Sequence, residues 1–211
     1  DTEPYWMAEE FALVESFGGE WSHELGLALV GRALTDSAAY LIAHSPVTLG
    51  VAEVVDRLVT GVAARLHGEG VPWRPGAHEL LSELKTAGVP TALVTMSYRA
   101  ITDVLVSELP AGSFDVVVTG EDVTRGKPDP EAYAVAAAAL GVAVGDCVAI
   151  EDSETGARSA VAAGVPTLVV AHVKPVPPIA SEVHLSTLVG ISASELWGLA
   201  TGAGQFAAGG A

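Results

Sequence analysis

Cysteine occurs once in the 211 residues, at Cys147, and lysine and arginine together number 10 against 26 acidic side chains. A single thiol excludes an intrachain disulfide framework and any cysteine-built metal cluster, and it fits a reducing, cytoplasmic compartment. The shortage of basic residues leaves a formal charge of −16, whose long-range repulsion opposes nucleic acid and anionic membrane surfaces. A small anionic substrate stays compatible with that field if a local lysine or a bound cation reverses it. Long apolar runs are also missing. The nearest approach, AYAVAAAALGVAVGDCVAI, is alanine-rich and broken by Gly141, Gly145 and Asp146, so it reads as helix, turn and strand and not as a membrane span. The opening residues carry Asp1, Glu3, Glu9 and Glu10 where a secretory leader would need a basic and then an apolar region. Charged residues are only 17%, with 50% hydrophobic, a balance that excludes global disorder.

What is present divides near residue 70. Residues 3 to about 70 show apolar positions recurring at three and four, the helical period. Phe11 and Val14 mark one helix. Val51, Val54, Val55, Leu58, Val59, Val62 and Leu66 mark a longer one, with Thr48 as a candidate N-cap. LTDSAAYLIAHSP supplies a third, with Thr35 as cap candidate and Pro46 as a stop. Glycine and proline crowd HGEGVPWRPGAHELL. Beyond it the chain repeats helix, glycine turn and short strand, with strands in VPTALVT, FDVVVTG, CVAIED and VPTLVVA. These strands do not alternate cleanly, as expected of parallel strands covered on both faces. The fold class is therefore α/β, a doubly wound parallel sheet with a small all-helical appendage. The predicted organisation is a helical unit over 1–70, an α/β core over 71–190, and a terminal helix and flexible tail over 191–211. HVKPVPPIASEVH reads as a proline-rich connection, and Trp6, Trp21, Trp73 and Trp197 read as packing residues.

In an open α/β sheet, ligands collect beyond the carboxyl ends of the strands. Those ends carry a short list: Thr95, then Ser97 and Arg99; Thr119, then Lys127; and Glu151, Asp152 and Ser153, then Thr155 and Gly156. Hydroxyl donors, an ammonium group and paired carboxylates together suit a phosphate accompanied by Mg²⁺, a hard cation that takes oxygen ligands and keeps waters. Lysine supplies positive charge where phosphoryl oxygens gain negative charge, and Thr95 has both a hydroxyl and a backbone N–H to offer. Each residue taken singly also has an ordinary reading. Thr95 can be a strand end, Lys127 a solvated turn residue, Asp129 a cap for the helix beginning at Pro130, and Asp152 or Ser153 a cap for the helix that follows.

TALVTMSYR, GKPDPEAY and VAIEDSETGARSAVAAG, in this order and at these separations, resemble the second, third and fourth motifs of the haloacid-dehalogenase-like superfamily. They are most similar to its sugar-phosphate phosphatases and β-phosphoglucomutases. DTEPYW resembles the segment after that family's first motif, and LVGRALTDSAAYL its helical cap. The resemblance implies a Rossmann-like core, Mg²⁺ as cofactor and a small phosphorylated metabolite as substrate, with a monomer or weak dimer left open. Thr95 takes the role of the hydroxyl that binds the transferring phosphoryl group, with Ser97 as auxiliary donor. Lys127 takes that of the motif-three lysine, and Glu151 and Asp152 that of the metal-holding acidic pair. Arg99 from the core and Arg32 from the cap are the substrate-contacting candidates. The DxDGT strand that bears the family's nucleophile has no counterpart among the 211 residues. Its expected place is mid-sheet, between the strands ending at Thr95 and Ile150, so the resemblance implies a functional chain with an upstream segment and exposed neighbouring strands without it. The expected activity is Mg²⁺-dependent hydrolysis of a phosphomonoester, with a noncatalytic phosphate-binding or protein-interaction module and a sugar phosphomutase as rivals. Trp6 and Leu34 stand where the mutase pattern has a histidine and an arginine, which weighs against the last.

Overall fold

The computed structural model describes residues 2–30, 32–171, 175–179 and 182–201. The expected tail beyond residue 201 and part of the proline-rich connection lie outside that range. The chain forms two compact units, Asp1–Pro72 with Ala100–Leu109, and Trp73–Arg99 with Pro110–Ala211.

The first unit holds α1 (Glu3–Ser16), α2 (His23–Leu29), α3 (Leu34–Ala43) and α4 (Val51–Glu69), joined by α6 (Arg99–Ser107) from later in the chain. Val54, Leu58, Val62 and Leu66 recur every four residues along α4 and are all buried, the stripe expected of one helix face. Its first half packs with Leu13, Val14, Trp21, Leu29, Ala38 and Leu41. Its second half packs with Ile101 of α6, beside Tyr5 and Trp6. Gly19 permits a close approach, since a Cβ there would stand 2.5 Å from Pro46 Cδ and 2.8 Å from Val14 Cγ1. Two caps differ from expectation. The N-cap of α4 is Gly50, whose N–H donates to Glu53 Oε2 at 2.9 Å, so Thr48 lies upstream. Ala33 begins α3, placing Thr35 inside the first turn.

The second unit carries all five strands found among the described residues: β1 (Ala92–Val94), β2 (Val116–Val118), β3 (Ala149–Glu151), β4 (Thr167–Val169) and β5 (Glu182–His184). All pairings are parallel, but they form two pieces, β1 with β2 and then β3, β4 and β5 in that order. Helices α5 (Ala77–Thr86), α7 (Glu131–Leu140), α8 (Glu154–Ala162) and α9 (Ala193–Thr201) cover the strands. Adjacent residues of β4 show why its sequence does not alternate. Leu168 packs into the cluster shared with Leu80 and Leu196, whereas Val169 packs on Ala157 of α8. Both faces are thus apolar. The sequence reading missed β5: one valine between Glu182 and His184, at the end of a proline-rich stretch, carries no strand periodicity, and pairing with β4 alone defines it. Trp21 is buried as expected, but Trp73 and Trp197 are 38% and 44% exposed and are not core residues.

Between β1 and β3 the expected central position has no strand among the described residues. Thr95 and Glu151 turn their ladder groups toward β2 and β4, through Thr95 N–H to Val118 O and Val170 N–H to Glu151 O. The alternate residues Val94 and Ile150 therefore face the two open edges. Ile150 is 37% exposed although it sits mid-strand between buried Ala149 and Glu151.

Candidate active site

Three chain crossings bring the predicted groups to the carboxyl ends of the strands. β1 delivers Thr95, the loop before α7 delivers Lys127, and β3 delivers Glu151 and Asp152. Lys127 Nζ donates to Val94 O at 3.0 Å and pairs with Glu151 Oε1. Their side chains are only 9% and 7% exposed, so this is a buried ion pair and not a solvated turn lysine. Desolvating two charges is tolerable only when further hydrogen bonds satisfy them, and Glu151 has them. Tyr133 donates its hydroxyl to Oε1, and Ser153 Oγ donates to Oε2 at 3.4 Å. Gly156 makes room, since a Cβ at that position would overlap the Glu151 carboxylate.

Asp152, the next residue, is exposed. The acidic pair is thus divided, one carboxylate turned in against a lysine and the other turned out. The ordinary reading is also correct for Ser153, which caps α8 by accepting from Gly156 N–H at 3.1 Å. Asp129 accepts from Glu131 N–H at 3.0 Å in the first turn of α7.

Thr95 offers less than expected. Its backbone N–H is spent on Val118 O at 2.9 Å, leaving the hydroxyl, which accepts from Ser97 N–H at 3.1 Å and so draws Ser97 back over the strand end. Arg99 is held across the loop ends. Its backbone N–H donates to Glu121 Oε2 at 2.9 Å, and its guanidinium pairs with Asp122 and reaches Thr119 Oγ1 at 3.4 Å. Asp122 in turn accepts from the Thr119 N–H and hydroxyl at 2.7 and 2.8 Å. Those bonds, the backbone one first, hold its carboxyl below the usual range, with Arg99 adding to the effect. Arg32 belongs to the first unit, where its Nε donates to Ala28 O at 2.7 Å and its guanidinium lies 4.7 Å from the Tyr40 ring centroid.

Two members of this arrangement were not singled out from sequence. Tyr133 closes the GKPDPEAY segment, six residues after Lys127, and burial followed by the Glu151 charge pushes its hydroxyl pKa well up, so it stays a donor. Asp122 carried no signal beyond being acidic.

The donor chemistry suits Mg²⁺ in one specific way. No group of three or more His, Cys, Asp or Glu that could hold a metal is found among the described residues. One or two carboxylates completed by water and phosphate oxygens is how Mg²⁺ is commonly held, and outward-turned Asp152 beside Glu151 fits it.

Comparisons with known proteins bear on the same residues. Residues 10–164 match the family model described as haloacid dehalogenase-like hydrolase. Hexitol phosphatase A of Escherichia coli (strain K12) is 44% identical over 98 residues, 46% of this chain and 44% of that protein. Validoxylamine A 7′-phosphate phosphatase of Streptomyces hygroscopicus subsp. limoneus is 35% identical over 138 residues, 64% of this chain and 61% of that one. The chain spans about half the length of the curated relatives it matches. CbbY of Rhodobacter sphaeroides, solved in complex with phosphate, superimposes with a TM-score of 0.79 at 26% identity, covering 93% of both chains. With the family match running from α1 through α8, across the lysine and the acidic pair, the chain belongs to the haloacid dehalogenase-like hydrolases.

Proposed function

We propose that the protein containing this chain is an Mg²⁺-dependent phosphatase that hydrolyses a small phosphomonoester, a sugar phosphate, through an aspartyl-phosphate intermediate. The observation that carries this reading is the buried Lys127–Glu151 pair, whose lysine also donates to the carbonyl of Val94, the residue before Thr95, with the exposed Asp152 next in the chain after Glu151. The likeness to hexitol phosphatase A and validoxylamine A 7′-phosphate phosphatase supports the substrate class, as does that to a mutant of Rhodobacter sphaeroides CbbY solved in complex with xylulose-(1,5)bisphosphate.

In this reading an upstream strand lies between β1 and β3 and covers Ile150 and the Val94 edge. Its terminal aspartate attacks phosphorus, forming the aspartyl phosphate as the bond to the leaving oxygen breaks. A second acid two residues later protonates the departing alcohol and then takes a proton from the water that releases inorganic phosphate. Lys127 places its ammonium against the phosphoryl oxygens as their charge grows, and the Thr95 and Ser97 hydroxyls donate to the same group. Arg99 contacts the part of the substrate that does not react, and Arg32 of the helical unit is the second substrate-contacting candidate. Asp152, with Glu151 through water, would hold Mg²⁺, which when bound offsets negative charge on the phosphate. The helical unit corresponds to the family's cap, the part that selects the leaving group.

A panel of sugar and polyol phosphates, assayed with and without Mg²⁺ on the whole protein, tests the reading. Turnover that needs Mg²⁺ and falls at least about a hundredfold in Lys127→Met is expected, the usual scale for losing one preorganised charge-stabilising group. Turnover unaffected by chelation would exclude the metal role.

A further inference from the structure

Tyr133 takes no part in the steps above, yet it touches both members of the Lys127–Glu151 pair. Its hydroxyl donates to Glu151 Oε1, the oxygen that Lys127 also engages, and Lys127 Nζ lies 5.1 Å from the centroid of its ring. The ring sits among Ala149, Ala160 and Val165 and is 9% exposed. A phenylalanine would fill that apolar pocket equally well, so the hydroxyl's service is to Glu151.

The backbone around Tyr133 is fixed from the same loop that carries Lys127. Glu131, in the first turn of α7, accepts from the Thr124 and Arg125 N–H groups at 2.8 and 2.9 Å. Ser159 of α8 donates to Asp129 O at 2.5 Å. The start of α7 is therefore tied to the lysine loop on one side and to α8 on the other, which sets where the Tyr133 hydroxyl arrives. Glu151 has donors on both oxygens, Lys127 and Tyr133 on Oε1 and Ser153 on Oε2. Without the tyrosine hydroxyl, Oε1 keeps only the lysine, and rotation of the carboxylate carries the ammonium with it. The ring adds an attractive face on which the ammonium rests.

We propose that Tyr133 is a positioning residue for the phosphate-binding lysine: its hydroxyl locks Glu151 and its ring seats the Lys127 ammonium, so that the charge meets the phosphoryl group at one place. This rests on the phosphatase reading of the site. The role differs from simple packing in what its loss changes, because it acts on phosphate affinity and turnover and not on the fold.

The experiment compares the whole wild-type protein with Tyr133→Phe and Tyr133→Leu in two measurements. Turnover of a sugar phosphate with Mg²⁺ gives kcat and KM separately, and calorimetric titration with inorganic phosphate gives an affinity that needs no chemistry. Tyr133→Phe is expected to lower kcat/KM about tenfold and to weaken phosphate binding by a similar factor, the usual cost of removing a group that orients an active-site ligand. Its thermal midpoint should stay close to the wild type. Tyr133→Leu should lose more, since the ring face goes as well. Wild-type kcat/KM and phosphate affinity in Tyr133→Phe would overturn the positioning role while leaving the phosphatase reading intact. If the wild type hydrolyses nothing in the panel, that reading fails separately, and the phosphate titration still decides the role of Tyr133. Absence of phosphate binding by the wild type would overturn both.

Discussion

Glu10 is the residue whose surroundings depart furthest from its chemistry. It is 7% exposed inside the helical unit, with the Trp21 indole N–H donating to its Oε2 at 3.3 Å. Burial raises its pKa to about 7, the indole bond opposes the shift, and Glu3 adds to it. The sign follows from linkage. Below pH 4.5 the carboxyl is neutral folded or unfolded and costs nothing; between 4.5 and about 7 folding increasingly resists ionisation; above 7 the cost is complete. Stability from this group is therefore lost as pH rises through that window. Glu10→Gln, which keeps an acceptor for the indole, should leave stability at pH 4 nearly unchanged and raise it at pH 8 by up to about 3 kcal/mol. Urea unfolding at the two pH values checks this, and an equal effect at both would refute the burial argument. At the site, Gly156→Ala puts a methyl group into the Glu151 carboxylate. Its expected outcome is loss of phosphate binding with α8 retained, read by calorimetry and circular dichroism. Thr95, Glu151 and Asp152 were legible in the sequence because each stands at or directly after a strand end, where topology alone places ligands, and Lys127 because GKPDPEAY, in the loop between β2 and α7, resembles a family motif. Tyr133 and Asp122 were not, since their roles come from hydrogen bonds across 18 and 23 residues, to Glu151 and Arg99 respectively.

Helix α4 and the long apolar stripe that defines it belong to the scale of elements. Leu58 lies at its centre, 2% exposed and packed in the main cluster of the helical unit. Leu58→Ala should cost about 3 kcal/mol in denaturant unfolding, the middle of the range for a buried leucine whose cavity only partly collapses. A cost below about 1 kcal/mol would mean that the unit repacks around the gap. The existence of α1 and of α3 through α9 could be read from period and punctuation, whereas the starts of α3 and α4 could not. Gly50 caps α4 through the reach of Glu53, and Ala33 begins α3 without a side-chain cap, so neither start carries the serine or threonine that a sequence reading looks for. Strand β5 was lost for a related reason: a three-residue edge strand is specified by its partner more than by its own side chains.

At the scale of the whole molecule, the parallel strands among the described residues form two pieces, with no strand found between β1 and β3. Backbone groups on those two edges exchange with water more freely than those inside a ladder. In the 211-residue chain the Ile150 amide, on the open edge of β3, should exchange on the order of a hundred times faster than that of Leu168, within β4 between two partners. Amide hydrogen exchange followed by NMR measures both, and equal protection would show the β3 edge to be paired. The amino-acid sequence by itself determined the fold class and marked the lysine and the acidic pair as candidates, because periodicity, turn residues and strand-end chemistry are local properties of a chain. Only the tertiary structure decided that Glu151 turns inward to Lys127 and Tyr133 while Asp152 faces water, and that Thr95 has spent its backbone N–H on β2. Two adjacent carboxylates are equivalent in a sequence. They become different when one side chain points into a desolvated pocket with donors waiting and the next points out, and that distinction exists only once the strands have paired.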